Sequence, residues 1–184
     1  MSVSRYAFSP DDLEAVYRAI FGRRDTRSYR PEPLPQDLVW KILGAAHAAP
    51  SVGFMQPWNF ILIQDMKRRS ALLEHFTGIS KRAAEDFQDD RNLRYRALKL
   101  QGILDAPLNL LVTCDRGRDG PHVLGRSVQR DTDVYSTCLA IQNLWLAAHA
   151  EGVGVGWMSI AEPAELQRAF ALPEQVVPVA YLTM

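Results

Sequence analysis

The stretch that most restricts the fold is "DTDVYSTCLAIQNLWLAAHAEG", residues 131 to 152, in which apolar residues fall on nearly every side of a helix and Gly152 supplies a stop. Such a helix is buried, either inside its own subunit or against another. With 184 residues and 47% apolar content, a single domain spanning 1–184 has material enough for a core of that kind.

Four short apolar runs, "WNFILIQ", "LNLLVTC", "VGVGWMSI" and "VVPVAYLTM", read as β-strands buried on both faces. Two amphipathic patterns precede them. In "SPDDLEAVYRAIFGRR", Ser9 is the N-cap and Pro10 the first helical residue, Leu13, Val16, Tyr17 and Ile20 form the apolar stripe, and Gly22 ends the helix. "LPQDLVWKILGAAHAA" repeats the design, with Pro35 opening a helix whose Leu38, Ile42, Leu43 and Ala46 share a face. Residues 78 to 101 are rich in both charges and read as exposed helix or a mobile excursion.

Several function classes fall away. Lys plus Arg number 21 and Asp plus Glu number 21, so a formal charge of zero offers no broad attraction for nucleic acid or an anionic membrane. His47, His75, His122 and His149 stand in no HExxH or CxxC context, so no metal is expected. There is no P-loop and no GxSxG elbow, and "GVGVGW" sits in a strand rather than opening a helix, which removes ATP and Rossmann readings. Cys114 and Cys138 lie in apolar runs and read as small buried hydrophobes in a reducing compartment. The start, "MSVSRYAFSPDDLEAV", has neither the apolar core of a signal peptide nor the look of a transit peptide, so the expected location is the cytoplasm.

Two stretches ask for an explanation. "RRDTR", residues 23 to 27, crowds three cations into five residues, which an anion, an interface or solvent must receive. A phosphate would suit them; a solvated helix end, with positive charge near the C-terminal dipole, fits the same spacing. "AAPSVGFMQPWNF", residues 48 to 60, is a particular turn between a helix and a strand. It serves as a tight connection with Trp58 in the core, and Gly53 opens backbone angles closed to other residues.

Taken together, "RRxxR" after the first helix, "APS" and "QPW" before the first strand, the Ala/Leu-rich central helix and the "GxGxGW" strand resemble the nitroreductase-like flavoprotein superfamily, in order and spacing, from about residue 14 onward. The resemblance implies an α+β, nitroreductase-like fold, with a central, mostly antiparallel sheet flanked by helices in an intertwined homodimer that holds FMN at the subunit interface. It implies that the arginine segment holds the ribityl phosphate, while Pro50, Ser51 and Val52 reach the flavin of the partner subunit.

Asp25 stands where ordinary nitroreductases usually carry Ser. "RRDxR" with "APSVGFMQPWNF", "LKLQGI" and "GVGVGWMSI" resembles the branch of the superfamily that destroys reduced FMN with O2 to make 5,6-dimethylbenzimidazole, the lower ligand of vitamin B12. By that resemblance Asp25 and Ser159 are the catalytic pair beside the flavin, and Arg23, Arg24, Arg27, Ser51, Lys99, Leu100 and Met158 belong to the binding site. An acid at position 25 can take a proton from near the ribityl C1′, which a Ser cannot, and the Ser159 hydroxyl can orient the flavin edge. Read without the resemblance, Ser159 is a strand-end hydroxyl.

Reduced FMN would then be a substrate, O2 a co-substrate, and a separate flavin reductase the source of FMNH2. Segment 78–101 would be the lid that excludes water and nicotinamide. The family runs on from its last strand into a tail that wraps the partner and supplies basic groups to the phosphate; this chain stops at "VAYLTM", so the tail is expected to be missing. Two other readings use the same pocket: an NAD(P)H-dependent nitroreductase or dehalogenase-like relative in which FMN cycles, and a flavin-binding protein without catalysis.

Overall fold

The structure is a computed structural model that describes residues 7–85, 92–93, 100, 102–120 and 122–184. Strands β1 (Trp58–Leu62), β2 (Asn109–Asp115), β3 (Gly156–Met158) and β4 (Val176–Thr183) form one sheet in the order β1-β2-β4-β3, with every neighbouring pair antiparallel. β2 is buried on both faces, as its unbroken apolar run predicts, whereas β1 is a half-buried edge. The strand period sends Leu110 and Val112 to one face of the sheet and Leu111 to the other.

On the first face lie α2 (Gln36–His47) and α5 (Thr132–Ala150), whose Ile42, Leu43, Ala46, Ile141, Leu144 and Ala148 pack on Leu110, Val112, Ala180 and Leu182. On the second lie α3 (Met66–Glu85), α4 (Gly102–Asp105) and α6 (Pro163–Ala169), which bring Leu72, Phe76, Ile103 and Leu166 against Leu111 and Tyr181. The guanidinium of Arg69 is buried there. It donates to the carbonyls of Ile63 (2.9 and 2.7 Å) and Ala106 (2.8 Å), and burial lowers its pKa. These bonds tie the end of α4 to the residue that follows β1, and so set where Leu100 and Gly102 stand.

α1 (Pro10–Gly22) starts where its cap predicts, with Ser9 Oγ accepting the Asp12 N–H at 3.2 Å. Its stripe, however, is left open to solvent among the described residues: Leu13, Val16, Tyr17, Ile20 and Phe21 are all exposed. α5 likewise keeps an outward side, with Tyr135 and Leu139 exposed. Cys138 lies on that side, so only Cys114 is the buried thiol expected of both; the all-round apolar pattern of α5 hid the fact that one side faces away from this chain. The charged stretch 78–101 needs a further correction. Its first residues complete α3, where Ser80 and Ala84 are buried rather than solvated. No described helix is long and apolar enough to cross a membrane.

Candidate active site

The glycines of "GVGVGW" leave one side of the chain at β3 bare, and the segment that follows α1 lies against it. The Thr26 N–H donates to the Val155 carbonyl at 2.9 Å, next to a parallel bridge between Asp25 and Val155. A Cβ on Gly154 would stand 2.5 Å from Thr26 Oγ1, and one on Gly156 would collide with the Thr26 carbonyl and the Tyr29 hydroxyl. The "RRDTR" and "GVGVGW" motifs are therefore two halves of one contact. Alternate glycines on a strand mark such a close approach of backbone, and the spacing of "GVGVGW" carries that signal. They also make β3 shorter than the "VGVGWMSI" run predicts, because Val155 pairs with Asp25 and Thr26 outside the ladder.

Asp25 is held at both oxygens. Oδ1 accepts the Trp157 N–H at 3.0 Å, and Oδ2 pairs with Arg27 Nη2 at 2.6 Å. Arg27 grips the same strand, donating from Nη2 to the Trp157 carbonyl at 2.8 Å and from Nη1 to Met158 Sδ at 3.1 Å. Ser159 follows directly after β3, exposed, and lines an apolar cavity of about 290 Å³ with Trp157, Met158, Ala161 and Val179. Leu100 packs on the cluster that contains Met158. Asp25 and Arg27 thus meet β3 at Trp157 and Met158, with Ser159 next along the chain, and Leu100 joins the cluster on Met158.

The other two arginines part ways. The Arg23 guanidinium lies 4.8 Å above the centre of the Trp145 ring, and Trp145 neighbours Trp157 at 6.5 Å between ring centroids. Arg24 Nη1 donates to the carbonyls of Phe21 (2.7 Å) and Arg23 (2.8 Å), and so closes the C-terminal end of α1. Trp157, the last residue of the "GxGxGW" motif, and Trp145, which no motif flagged, join Arg23 to the Asp25 group.

Pro50, Ser51 and Val52 form a second group. Ser51 Oγ accepts the Gln56 N–H at 3.0 Å, and the Val52 N–H donates to Ser136 Oγ on α5 at 3.2 Å. Gly53 has φ +59°, which bears out the reason for a glycine there, but Phe54 (+54°) and Gln56 (+41°) also adopt left-handed backbone without that excuse. What over-determines the turn is non-local. Arg118 donates to the carbonyls of Gln56 (2.6 Å) and Trp58 (3.2 Å) and to Asn59 Oδ1 (2.6 Å), while Arg126 Nη2 reaches Met55 Sδ at 3.3 Å. Trp58 is buried, as expected.

The two groups stand at different levels of α5. The loop meets Ser136 and the arginine segment meets Trp145, nine positions on, roughly 14 Å along the helix axis. Lys99, and most of the segment expected to act as a lid, lie outside the described residues.

The model of the nitroreductase family matches residues 20–184. The chain belongs to the nitroreductase family. This nitroreductase-family chain is 40% identical over 172 residues to the 5,6-dimethylbenzimidazole synthase of Rhodospirillum rubrum, a match that covers 94% of this chain and 80% of that protein. It is 34% identical over 175 residues to the 5,6-dimethylbenzimidazole synthase of Rhodobacter capsulatus, covering 95% and 84%. Among solved structures, oxidized iodotyrosine deiodinase bound to FMN and 3-iodo-L-tyrosine matches with a TM-score of 0.77 at 21% identity, covering 91% of this chain and 87% of that one. That likeness bears out the nitroreductase-like fold, an antiparallel sheet with flanking helices.

Proposed function

We propose that the chain is a 5,6-dimethylbenzimidazole synthase: a single FMN-binding domain, cytoplasmic and homodimeric, that takes reduced FMN from a separate flavin reductase and fragments it with O2 to 5,6-dimethylbenzimidazole and a sugar phosphate. The observation that carries this reading is the carboxylate of Asp25, which stands where a nitroreductase usually has Ser and is seated on the bare strand at Trp157, two positions before Ser159. The names of both synthases described above support it.

The residues suit the ligand. Arg23 and Arg27 offer cations for a phosphate, the small-residue loop at Pro50, Ser51 and Val52 offers close approach to a planar ring, and Leu100 and Met158 an apolar wall. They stand in two groups at different levels of α5, so a two-fold dimer with α5 antiparallel to its copy brings the loop of one subunit to the arginine segment of the other. The same packing covers the outward side of α5 and the stripe of α1, both apolar and exposed in the single chain.

Reduced flavin supplies the electrons that O2 needs. The protein's part is to bind the phosphate through Arg23 and Arg27, to hold the Asp25 carboxylate where it takes a proton from the ribityl C1′, to orient the flavin edge through Ser159, and to exclude water by the segment that carries Lys99. Arg24 belongs to this group by closing α1 just ahead of Asp25. The test is aerobic incubation with chemically reduced FMN and mass analysis of the products; 5,6-dimethylbenzimidazole is expected. One observation favours the alternative in which FMN cycles and Asp25 merely tunes it: both oxygens of Asp25 are engaged. Intact FMN as the sole flavin product would select that alternative.

A further inference from the structure

Tyr29 lies two residues beyond Arg27, and nothing in the chemistry above uses it. Its hydroxyl donates to the Thr26 carbonyl at 2.5 Å and meets Thr183 Oγ1 at 2.6 Å. Because Tyr29 spends its one proton on a carbonyl, which can only accept, the hydroxyl of Thr183 donates its own one proton in turn to Tyr29 Oη, with the Gly156 carbonyl 3.3 Å away. The chain Thr26–Tyr29–Thr183 therefore joins the segment that carries Asp25 to the last residue of β4, which is paired across the ladder with Gly156, the first residue of β3. Thr183 is fully buried, where a lost partner is costly, and Gly156 has no side chain because the Tyr29 hydroxyl and the Thr26 carbonyl fill that space. The ring of Tyr29 also lies on α4: a Cβ on Gly102 would come 2.7 Å from its Cε2 and 3.5 Å from the methyl of Met158.

We infer that Tyr29 is a positioning residue: its hydroxyl, through Thr26 and Thr183, sets the register of the Asp25 and Arg27 side chains against Trp157. The bonds from Thr26 to Val155, from Trp157 to Asp25 and from Arg27 to Trp157 all lie within this one strap. Its anchors are two. One is the helix end closed by Arg24, upstream of Asp25; the other is Tyr29, downstream. Without the second, the strap opens more often and Asp25 leaves its place on Trp157. The inference rests on Asp25 acting as the base of the proposed reaction, and its effect is on catalysis rather than on flavin affinity.

The test uses Tyr29→Phe, which keeps the ring on Gly102 and removes only the hydroxyl, and Thr183→Val as an independent cut in the same chain. In the flavin-free protein the amide hydrogens of Thr26 and Trp157 should exchange roughly tenfold faster in both variants, by local opening of the strap, while the amides of β2 keep their protection. With reduced FMN, binding should change by less than about threefold. Fragmentation should fall about tenfold, the scale of a misplaced group, with the lost product returned as FMN and hydrogen peroxide. The Asp25→Asn, Tyr29→Phe double variant should fragment no more slowly than Asp25→Asn alone, since Tyr29 acts through Asp25. Unchanged exchange at Trp157 in both variants overturns the inference, as does a Tyr29→Phe loss that adds in full to that of Asp25→Asn. An Asp25→Asn variant that fragments FMN normally overturns the base assignment instead, and the exchange measurement then stands on its own. If Tyr29→Phe does not fold, Thr183→Val decides by the same measurements.

Discussion

Asp25 Oδ1 accepts the backbone N–H of Trp157 at 3.0 Å, so a carboxylate carried by the loop after α1 is seated on a strand 132 positions further along the chain. An amide in place of the carboxylate can keep that bond, since its oxygen accepts as well. What it loses is the base and the charge that faces Arg27. Asp25→Asn should therefore leave reduced FMN reactive toward O2 but return intact FMN and hydrogen peroxide, with 5,6-dimethylbenzimidazole formation lower by about 10² or more. Product analysis by mass spectrometry checks it; wild-type yield from the Asn variant removes Asp25 as the base. Ser159→Ala should impair a different step, read as faster uncoupled oxidation of the flavin.

Arg23 rests on Trp145, within reach of the group around Asp25 but unbound to any carboxylate among the described residues. Arg23→Ala should weaken FMN by roughly 10- to 100-fold, the worth of a hydrogen bond to a charged group, and riboflavin by far less. Calorimetric titration with both ligands makes the comparison. Equal losses would sink the phosphate assignment.

The outward side of α5 carries Cys138 between Tyr135 and Leu139, and the proposed dimer closes over it. Sedimentation should give a dimer, and its interface should exceed roughly 2,000 Å². Native protein should label slowly with maleimide, and dissociation should release one reactive thiol per chain. Cys114 should stay silent, because burial hides it and pushes its pKa up to about 11. A flavin-competent monomer with a fast-reacting Cys138 would exclude the dimer.

Two glycine substitutions should move stability in opposite directions. At Gly156 a methyl group collides with the Thr26 carbonyl and the Tyr29 hydroxyl, so Gly156→Ala should cost about 1–3 kcal/mol, the usual range for overpacking, and lower the melting temperature. At Gly44, within α2, nothing lies within 4 Å, so Gly44→Ala should gain about 0.5–1 kcal/mol from helix propensity. Thermal unfolding of both variants tests whether the bare strand is structural.

The elements with local signatures were readable in advance. Ser9 and Pro10 set the start of α1, the apolar run of β2 announced a strand covered on both sides, and Gly53 had the left-handed backbone that its place in the turn demanded. The resemblance implies more: a family, which the match over residues 20–184 bears out, and a pair of site residues, Asp25 and Ser159. What stayed hidden was non-local. Nothing near position 118 says that its guanidinium will hold the carbonyls of Gln56 and Trp58, and nothing near position 29 says that its hydroxyl will meet Thr183. The exposure of Cys138 was hidden for another reason. An apolar pattern records that a side is covered, not by which chain.

The separation of the two groups along α5 has a genetic consequence. If each site draws its loop from one subunit and its arginine segment from the other, lesions in the two halves should complement. A chain crippled at Asp25 and a chain crippled at the Pro50–Val52 loop are each dead as homodimers. In a mixed pair, one site collects both lesions and the other collects neither. Two inactive alleles expressed together should thus recover activity, up to half a wild-type complement per mixed dimer, whereas two alleles altered on the same half should recover none.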